Sequence, residues 1–435
     1  MARDVASRRD RGTTVQQRSM TPVAALEGSI RAYPWGSHTA IAAIQGRAHP
    51  TSEPEAELWF GAHPSGPALL RQAGAGRPLD RVIDEAPVAM LGPGSVERFG
   101  PQLPFLLKLL AIERPLSLQA HPSAAQAVMG FDDENTRGVP LDAPERTYRD
   151  AWPKPELLCA LSEVDAFAGF RAPEQTVALL TALDVPGLGW LRERLAGQGS
   201  QGLVTAVEQL LRWPGADRPH LVASVTDRAR RLADAGGPHV TVAEWLVRLG
   251  ALHPADPGVV VASLLNLVRL RPGEAIYLPA GNLHAYLRGT AVEVMATSDN
   301  VLRGGLTGKH VDVDGLLRVL DARALPVPRV AAVPTVGGYA YPTPAAHFLL
   351  ERLVPGSEGL RLERRGPEIL LAVGGSARVR ADGIGVGLES GQAAFVRADA
   401  FEVRVEGDGP VFRATVGNML PSERVPSRSR EPAGR

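Results

Sequence analysis

The hydrophobic period of this chain changes twice, and that change narrows the folds open to it. From about Leu26 to Phe170, short apolar segments alternate with turn residues, as in Glu57-Leu58-Trp59-Phe60 and Glu156-Leu157-Leu158-Cys159-Ala160-Leu161. This pattern predicts strands with a few short helices. From Pro173 to about Leu252 the spacing becomes helical. Val177, Leu180 and Leu183 follow it, as do Leu203, Val207, Leu210 and Leu211, and again Val242, Trp245, Leu246 and Leu249. Strand character returns at Leu264–Leu270 and Glu274–Leu278, and a further apolar-alternating region runs from His347 to Val416. The expected fold class is therefore mainly β with a helical subdomain inserted.

Two of the strand-like stretches resemble each other. Gly273-Glu274-Ala275-Ile276-Tyr277-Leu278-Pro279-Ala280 aligns with Gly391-Gln392-Ala393-Ala394-Phe395-Val396-Arg397-Ala398. Each is a turn glycine, a strand and a second turn, which suggests two related β-barrels or sandwiches. His284 follows the glycine of the first copy, and Glu402 holds the equivalent place in the second. On this reading the second unit has lost its histidine.

Composition removes several functional classes. The 435 residues carry 47 basic and 47 acidic side chains, so no net field favours nucleic acid or an anionic membrane. One cysteine, Cys159, rules out an intrachain disulfide framework and fits a reducing, cytoplasmic setting. No apolar run reaches the length of a membrane span. Residues 1–20 hold several arginines without an apolar core and are expected to be a disordered tail, with Met20 an alternative start; residues 421–435 are expected to be another tail.

The chemistry-bearing residues stand out against apolar surroundings. The run Leu103–Ile112 is interrupted by one lysine, Lys108. It is followed by Leu116-Ser117-Leu118-Gln119-Ala120-His121-Pro122, in which Ser117, Gln119 and His121 share the parity of one strand face. Lys154 and Glu156 form a second alternating pair, expected on one strand face. A third patch is His284-Ala285-Tyr286, followed by Glu293 and by Asp299 to Lys309. Burying an imidazole, an amide and an ammonium is costly unless something uses them. Two histidines, a carboxylate and an amide oxygen make an N₂O₂ set that suits a borderline metal such as zinc better than magnesium. The alternative is a set of ordinary hydrogen-bonded core side chains. His63 is a candidate supporting residue.

These residues resemble the type I phosphomannose isomerases, also called mannose-6-phosphate isomerases, of the cupin superfamily. The resemblance runs from Ala32 to about Val416. Tyr33-Pro34-Trp35-Gly36, Ala56 to Gly66, Leu116 to Pro122, Lys154-Pro155-Glu156, Gly281 to Tyr286 and Ser298 to Thr307 carry it, in order and spacing. It implies two cupin-type jelly-roll β-barrels with a helical insertion. The expected division is a catalytic unit of residues 21–172 and 257–325, a helical unit of 173–256, and a C-terminal cupin-like unit of 326–420 without a metal. The resemblance also implies one zinc ion per chain, at Gln119, His121, Glu156 and His284. The implied reaction is reversible conversion of D-mannose 6-phosphate to D-fructose 6-phosphate, a step of carbohydrate metabolism that can supply GDP-mannose biosynthesis. The chain departs from the family at Pro153, where a histidine ascribed to sugar-ring opening is usual.

An aldose–ketose isomerase must stabilise an enediolate, and fixed positive charge in a dry site does so best. Arg303 is expected to take this role, with Glu293 or Asp299 as acid–base and Lys154 polarising a sugar oxygen. Ser117, Lys108 and Lys309 are candidates for the phosphate, and Tyr286 and Trp35 for the sugar pocket. The expected partner is a small sugar phosphate, with neither nucleic acid nor membrane, on a monomer or weak homo-oligomer. Two rival readings are a cupin oxygenase, which Gln119 suits poorly, and a non-catalytic sugar-phosphate sensor.

Overall fold

The computed structural model describes residues 20–72 and 75–417. The expected tails fall outside these residues, apart from Met20. The first half of the chain forms β1 (Val23–Glu27), β2 (Ser29–Arg31), β3 (Glu57–Phe60), β4 (Leu69–Gln72), β5 (Ala75–Pro78), β6 (Phe105–Ile112), β7 (Leu118–Ala120), β8 (Glu156–Ala160) and β9 (Val164–Phe170). Helices then run from Pro173–Leu183 to Val240–Leu252, where the 3.6-residue period predicts them, and a further short helix, Gly258–Ala262, follows beyond the predicted stretch. After them come β10 (Leu265–Leu270), β11 (Ala275–Leu278), β12 (His284–Ala296) and β13 (Leu302–Gly305). The chain ends in β14 (Arg329–Val330), β15 (Val333–Thr335), β16 (Gly338–Tyr341), β17 (Leu349–Leu353), β18 (Leu360–Arg361), β19 (Glu368–Ala372), β20 (Ala377–Ala381), β21 (Ile384–Leu388), β22 (Ala393–Val396), β23 (Val403–Gly407) and β24 (Val411–Thr415).

The strands stack in layers because each alternates its side chains between two buried faces. A sheet ordered β15-β16-β17-β24-β19-β22-β1-β4-β5 packs on a second layer ordered β14-β11-β8-β12-β6-β3-β2. The core between them includes Leu58, Phe60, Leu107, Leu109, Val292, Phe395 and Phe412. Behind the second layer lie β7, β9, β10, β13 and the first half of β12. Leu110, Ile112, Leu158, Ala166, Ala168 and Tyr286 fill the space between those two layers. The helical block closes the far side, packing on Leu118, Ala120, Leu283, Ala285 and Leu302. A four-stranded sheet, β18-β23-β20-β21, completes the C-terminal region.

The strand β12 belongs to two layers at once. Its first residues pair with β7 and β9, and Gly289–Ala296 pair with β6 and β8. The crossing falls at Gly289, which has φ 113° and lies so close to the Glu163 carbonyl that a Cβ there would sit 2.4 Å from its oxygen. Only glycine meets both demands.

Both copies of the proposed repeat are strands preceded by a left-handed glycine, Gly273 before β11 and Gly391 before β22, with φ of 87° and 77°. Glu402 immediately precedes β23 and ion-pairs with Arg404, away from any histidine cluster. The N-terminal stretch is divided between sheets, since β1 lies between β22 and β4. Among the described residues, no helix is long and apolar enough to cross a membrane.

Candidate active site

The period of two that buries apolar residues on one face of each strand places polar ones on the other, in the space between the second and third layers. Trp59, Lys108 and Glu293 stand abreast on β3, β6 and β12. Glu57 is two residues before Trp59 and shares its face. Gln119 of β7 pairs with His284 of β12 on one side and Arg303 of β13 on the other. Glu156 opens β8 against Met295 of β12 and Leu278 of β11. His121, one residue past β7, keeps the parity of Gln119.

His121, Glu156 and His284 converge, their ligand atoms all within 4.8 Å of one another, and all three are buried. His121 Nε2 lies 3.3 Å from one Glu156 oxygen and His284 Nε2 3.4 Å from the other. Each ring is oriented from behind. His121 Nδ1–H donates to the Asn300 carbonyl at 2.7 Å, and His284 Nδ1–H to the Asn282 carbonyl at 2.9 Å. A carbonyl only accepts, so both protons sit on Nδ1 and both Nε2 lone pairs face the carboxylate. Both Nε2 atoms and Glu156 Oε2 are buried without a hydrogen-bond partner. Three buried electron pairs directed at one point repel unless a cation lies among them, so these residues fit a metal ion. Burial pushes His121 down to about 4, which keeps it in the neutral form that ligates. Burial opposes the charge on Glu156, but the adjacent Lys154 ammonium favours the anion, and the carboxyl is held well below its usual range.

A second buried group adjoins the first. The Lys108 ammonium lies 3.4 Å from Glu57 and 3.2 Å from Glu293. Tyr286 O–H donates to Glu293 at 2.9 Å, and the Trp59 indole N–H donates to Glu57. Burial opposes the Lys108 charge, yet Glu57 and Glu293 outweigh it and raise its pKa. Glu293 is shifted upward: burial raises it, Lys108 pulls it down, and Glu156 and Glu57 repel its charge. Its pKa thus moves toward neutrality, where a proton carrier works best.

At the mouth, Lys154 Nζ lies 3.4 Å from Glu156. The alternating-strand reading of Lys154 and Glu156 needs correction, because β8 starts only at Glu156. Pro153 and Pro155 have no N–H to give a ladder, so Lys154 stands on an extended lead-in. Asp299 faces His63 at 3.3 Å. Despite burial, His63 and Lys154 bring its carboxyl down to about 2. Arg303 and Lys309 are each shifted downward, first by burial; Arg149 lies close enough to repel both. Ser117 directly precedes β7, and Trp35 stacks on Tyr33 and packs beside the apolar cluster that holds Tyr286. Lys108, by contrast, is already held between two carboxylates.

Two residues at this mouth are not among the site residues expected from the sequence, although Asn300 lies within the Ser298 to Thr307 motif. Arg149 lies in a stretch without periodicity. Asn300, fully buried, accepts from the Arg149 and Asp150 amides through Oδ1 and donates to the Asp150 and Trp152 carbonyls through Nδ2. It therefore ties the Arg149 loop to the backbone that orients His121. The motif marks Asn300 as part of a shared segment, but an asparagine in a loop reads the same whether it knots two segments or faces water.

Residues 23–173 match the family model described as phosphomannose isomerase type I, catalytic domain. The mannose-6-phosphate isomerase of Salmonella typhimurium is 35% identical over 405 residues, covering 89% of this chain and 98% of that protein. Mannose-6-phosphate isomerase 1 of Arabidopsis thaliana is 30% identical over 424 residues, covering 91% and 94%. A crystal structure of the Salmonella typhimurium enzyme bound to substrate and zinc superposes with a TM-score of 0.84 at 32% identity, covering 92% of this chain and all of that one.

Proposed function

Because the chain belongs to the type I phosphomannose isomerase family, we propose that it interconverts D-mannose 6-phosphate and D-fructose 6-phosphate through a cis-enediol. The observation that carries this reading is the convergence of three buried electron pairs from His121, Glu156 and His284 beside a cationic mouth. The cofactor is zinc, one per chain, with Gln119 beside His284 as the fourth ligand. When bound, zinc supplies Lewis acidity toward a substrate oxygen.

The residues of the chain divide the remaining work. Glu293 takes the C2 proton of the open-chain aldose and returns it to C1, while the hydroxyl proton moves between O1 and O2. Its raised pKa and its place between Lys108 and the Tyr286 hydroxyl suit that task. Arg303 stays protonated and stabilises the enediolate oxygens. Arg149 and Lys309, with Ser117, receive the phosphate; mutual repulsion among unpaired cations is relieved when a dianion enters. Lys154 polarises a ring oxygen. Tyr286 and Trp35 bound the sugar.

We read the two β regions as cupin-type jelly-roll barrels, with residues 173–256 inserted, and the unit 326–420 as structural. The N-terminal strands β1, β4 and β5 extend the sheet of the C-terminal strands. The free, buried Cys159 supports a cytoplasmic setting, and a monomer or weak homo-oligomer remains the expected assembly.

The test is a coupled assay for fructose 6-phosphate together with metal analysis. The wild type should hold one zinc and turn over. His121→Ala should lose zinc and activity together, and full activity in a metal-free preparation would overturn the metal assignment. Arg303→Ala should lower kcat by at least about 10²-fold. A loss confined to KM would make it a binding residue instead.

A further inference from the structure

His63 is buried, and its ring is held by Trp59, Ser65 and Asp299. Trp59 meets it in a T-shaped contact, with centroids 5.1 Å and planes 70° apart. Its Nδ1 lies 3.2 Å from the Ser65 amide and 2.9 Å from the Ser65 hydroxyl. A backbone amide only donates, so Nδ1 must present its lone pair, and the ring proton must reside on Nε2. That Nε2 faces Asp299 Oδ1 at 3.3 Å. Asp299 is held from its own backbone as well, since its amide donates to Asp150 Oδ2 at 2.8 Å. Its other oxygen, Oδ2, has no hydrogen bond to the described residues, and its side chain is 45% exposed at the mouth of the site. One carboxylate oxygen is therefore clamped and the other offered to whatever enters.

We propose that His63 is a positioning residue, locked as the Nε2–H tautomer, which fixes Asp299 as a permanent anionic hydrogen-bond acceptor for a substrate hydroxyl and not as the proton-transferring base. This rests on the sugar-phosphate reading of the site and divides its carboxylates. A carboxylate held far below neutrality accepts hydrogen bonds well but takes up protons poorly. Glu293, buried and shifted the other way, retains the proton-transfer role.

The experiment combines kinetics with imidazole spectroscopy on the zinc-loaded, full-length enzyme. Asp299→Asn should raise KM for mannose 6-phosphate by at least about tenfold while kcat stays within about threefold, the signature of lost uniform binding. His63→Leu should reproduce that split, and His63→Gln, which restores an N–H near the position of Nε2, should recover most of it. In a double variant, Asp299→Asn should add little to His63→Leu. A kcat loss of about 10²-fold or more in Asp299→Asn with KM unchanged would overturn the proposal, as would an unchanged KM in a folded His63→Leu. Independently of turnover, ¹⁵N spectra of the wild type should show the His63 Nδ1 unprotonated and Nε2 protonated. An Nδ1–H signal would overturn the tautomer lock. Absence of turnover in the wild type would refute the isomerase reading, while the ¹⁵N result would still decide the lock.

Discussion

Cys159 shows how one residue's environment sets its chemistry. It lies in the middle of β8, on the face turned toward the C-terminal sheet, and is fully buried. Its neighbour Leu158 faces the site and it does not, because adjacent strand residues point to opposite faces. Burial pushes its thiol up to about 11. An unfolded thiol ionises near about 8.5, so the native state binds more protons between those values and loses stability as pH rises from about 8.5 toward 11. A thiol reagent at about pH 8, below that range, should not modify Cys159 in the native enzyme, and should do so stoichiometrically in denaturant. Rapid native labelling would show the strand to be open. The same alternation made Ser117, Gln119 and His121 legible as one face before any coordinates, since it depends only on local geometry. That Gln119 would lie near His284 came only from the family resemblance and not from local pattern, because the two are far apart in the sequence and the pairing of β7 with β12 joins them.

At the scale of elements, β12 is the part on which the site depends most. It carries His284 and Tyr286 on one side of Gly289 and Glu293 on the other, and the bend brings the Tyr286 hydroxyl onto Glu293. A straight strand would hold the backbones of these two residues roughly 23 Å apart by extended-chain rise. Gly289→Ala forces a side chain into a φ of 113° and against the Glu163 carbonyl. It should cost about 2–3 kcal/mol in urea unfolding and weaken zinc retention, because the two halves of β12 carry opposite walls of the site. Unchanged stability and unchanged zinc affinity would show that the bend is set elsewhere. The apolar character of β12 was visible in the sequence. Its bend was not, since a glycine within a strand signals a bulge, a crossing or nothing until the neighbouring backbone is known.

At the scale of the whole molecule, the N-terminal strands knit the chain together. β1 pairs with β22 over Val23–Leu26, and β4 and β5 extend the same sheet. Without β1, the edge of β22 and the apolar residues Phe395 and Ala393 beneath it lose their cover. Residues 326–417 expressed alone should therefore aggregate or give poorly dispersed amide spectra, whereas the full chain gives a folded protein. A monomeric, well-dispersed fragment would show that the C-terminal unit folds without the N-terminus. What the sequence by itself determined was local: the strand and helix periods, the insertion from Pro173, the parity of Gln119 with His121, and the motifs shared with a known family. These follow from backbone geometry and from short-range patterns of residue type. The tertiary structure alone decided which faces meet. It joined β1 to the far sheet, bent β12 at Gly289, held Lys108 between two carboxylates, brought Arg149 to the mouth and set His63 behind Asp299. Such pairings depend on how separate layers share one buried interior, and a single strand's sequence is the same whichever partner fills the other side.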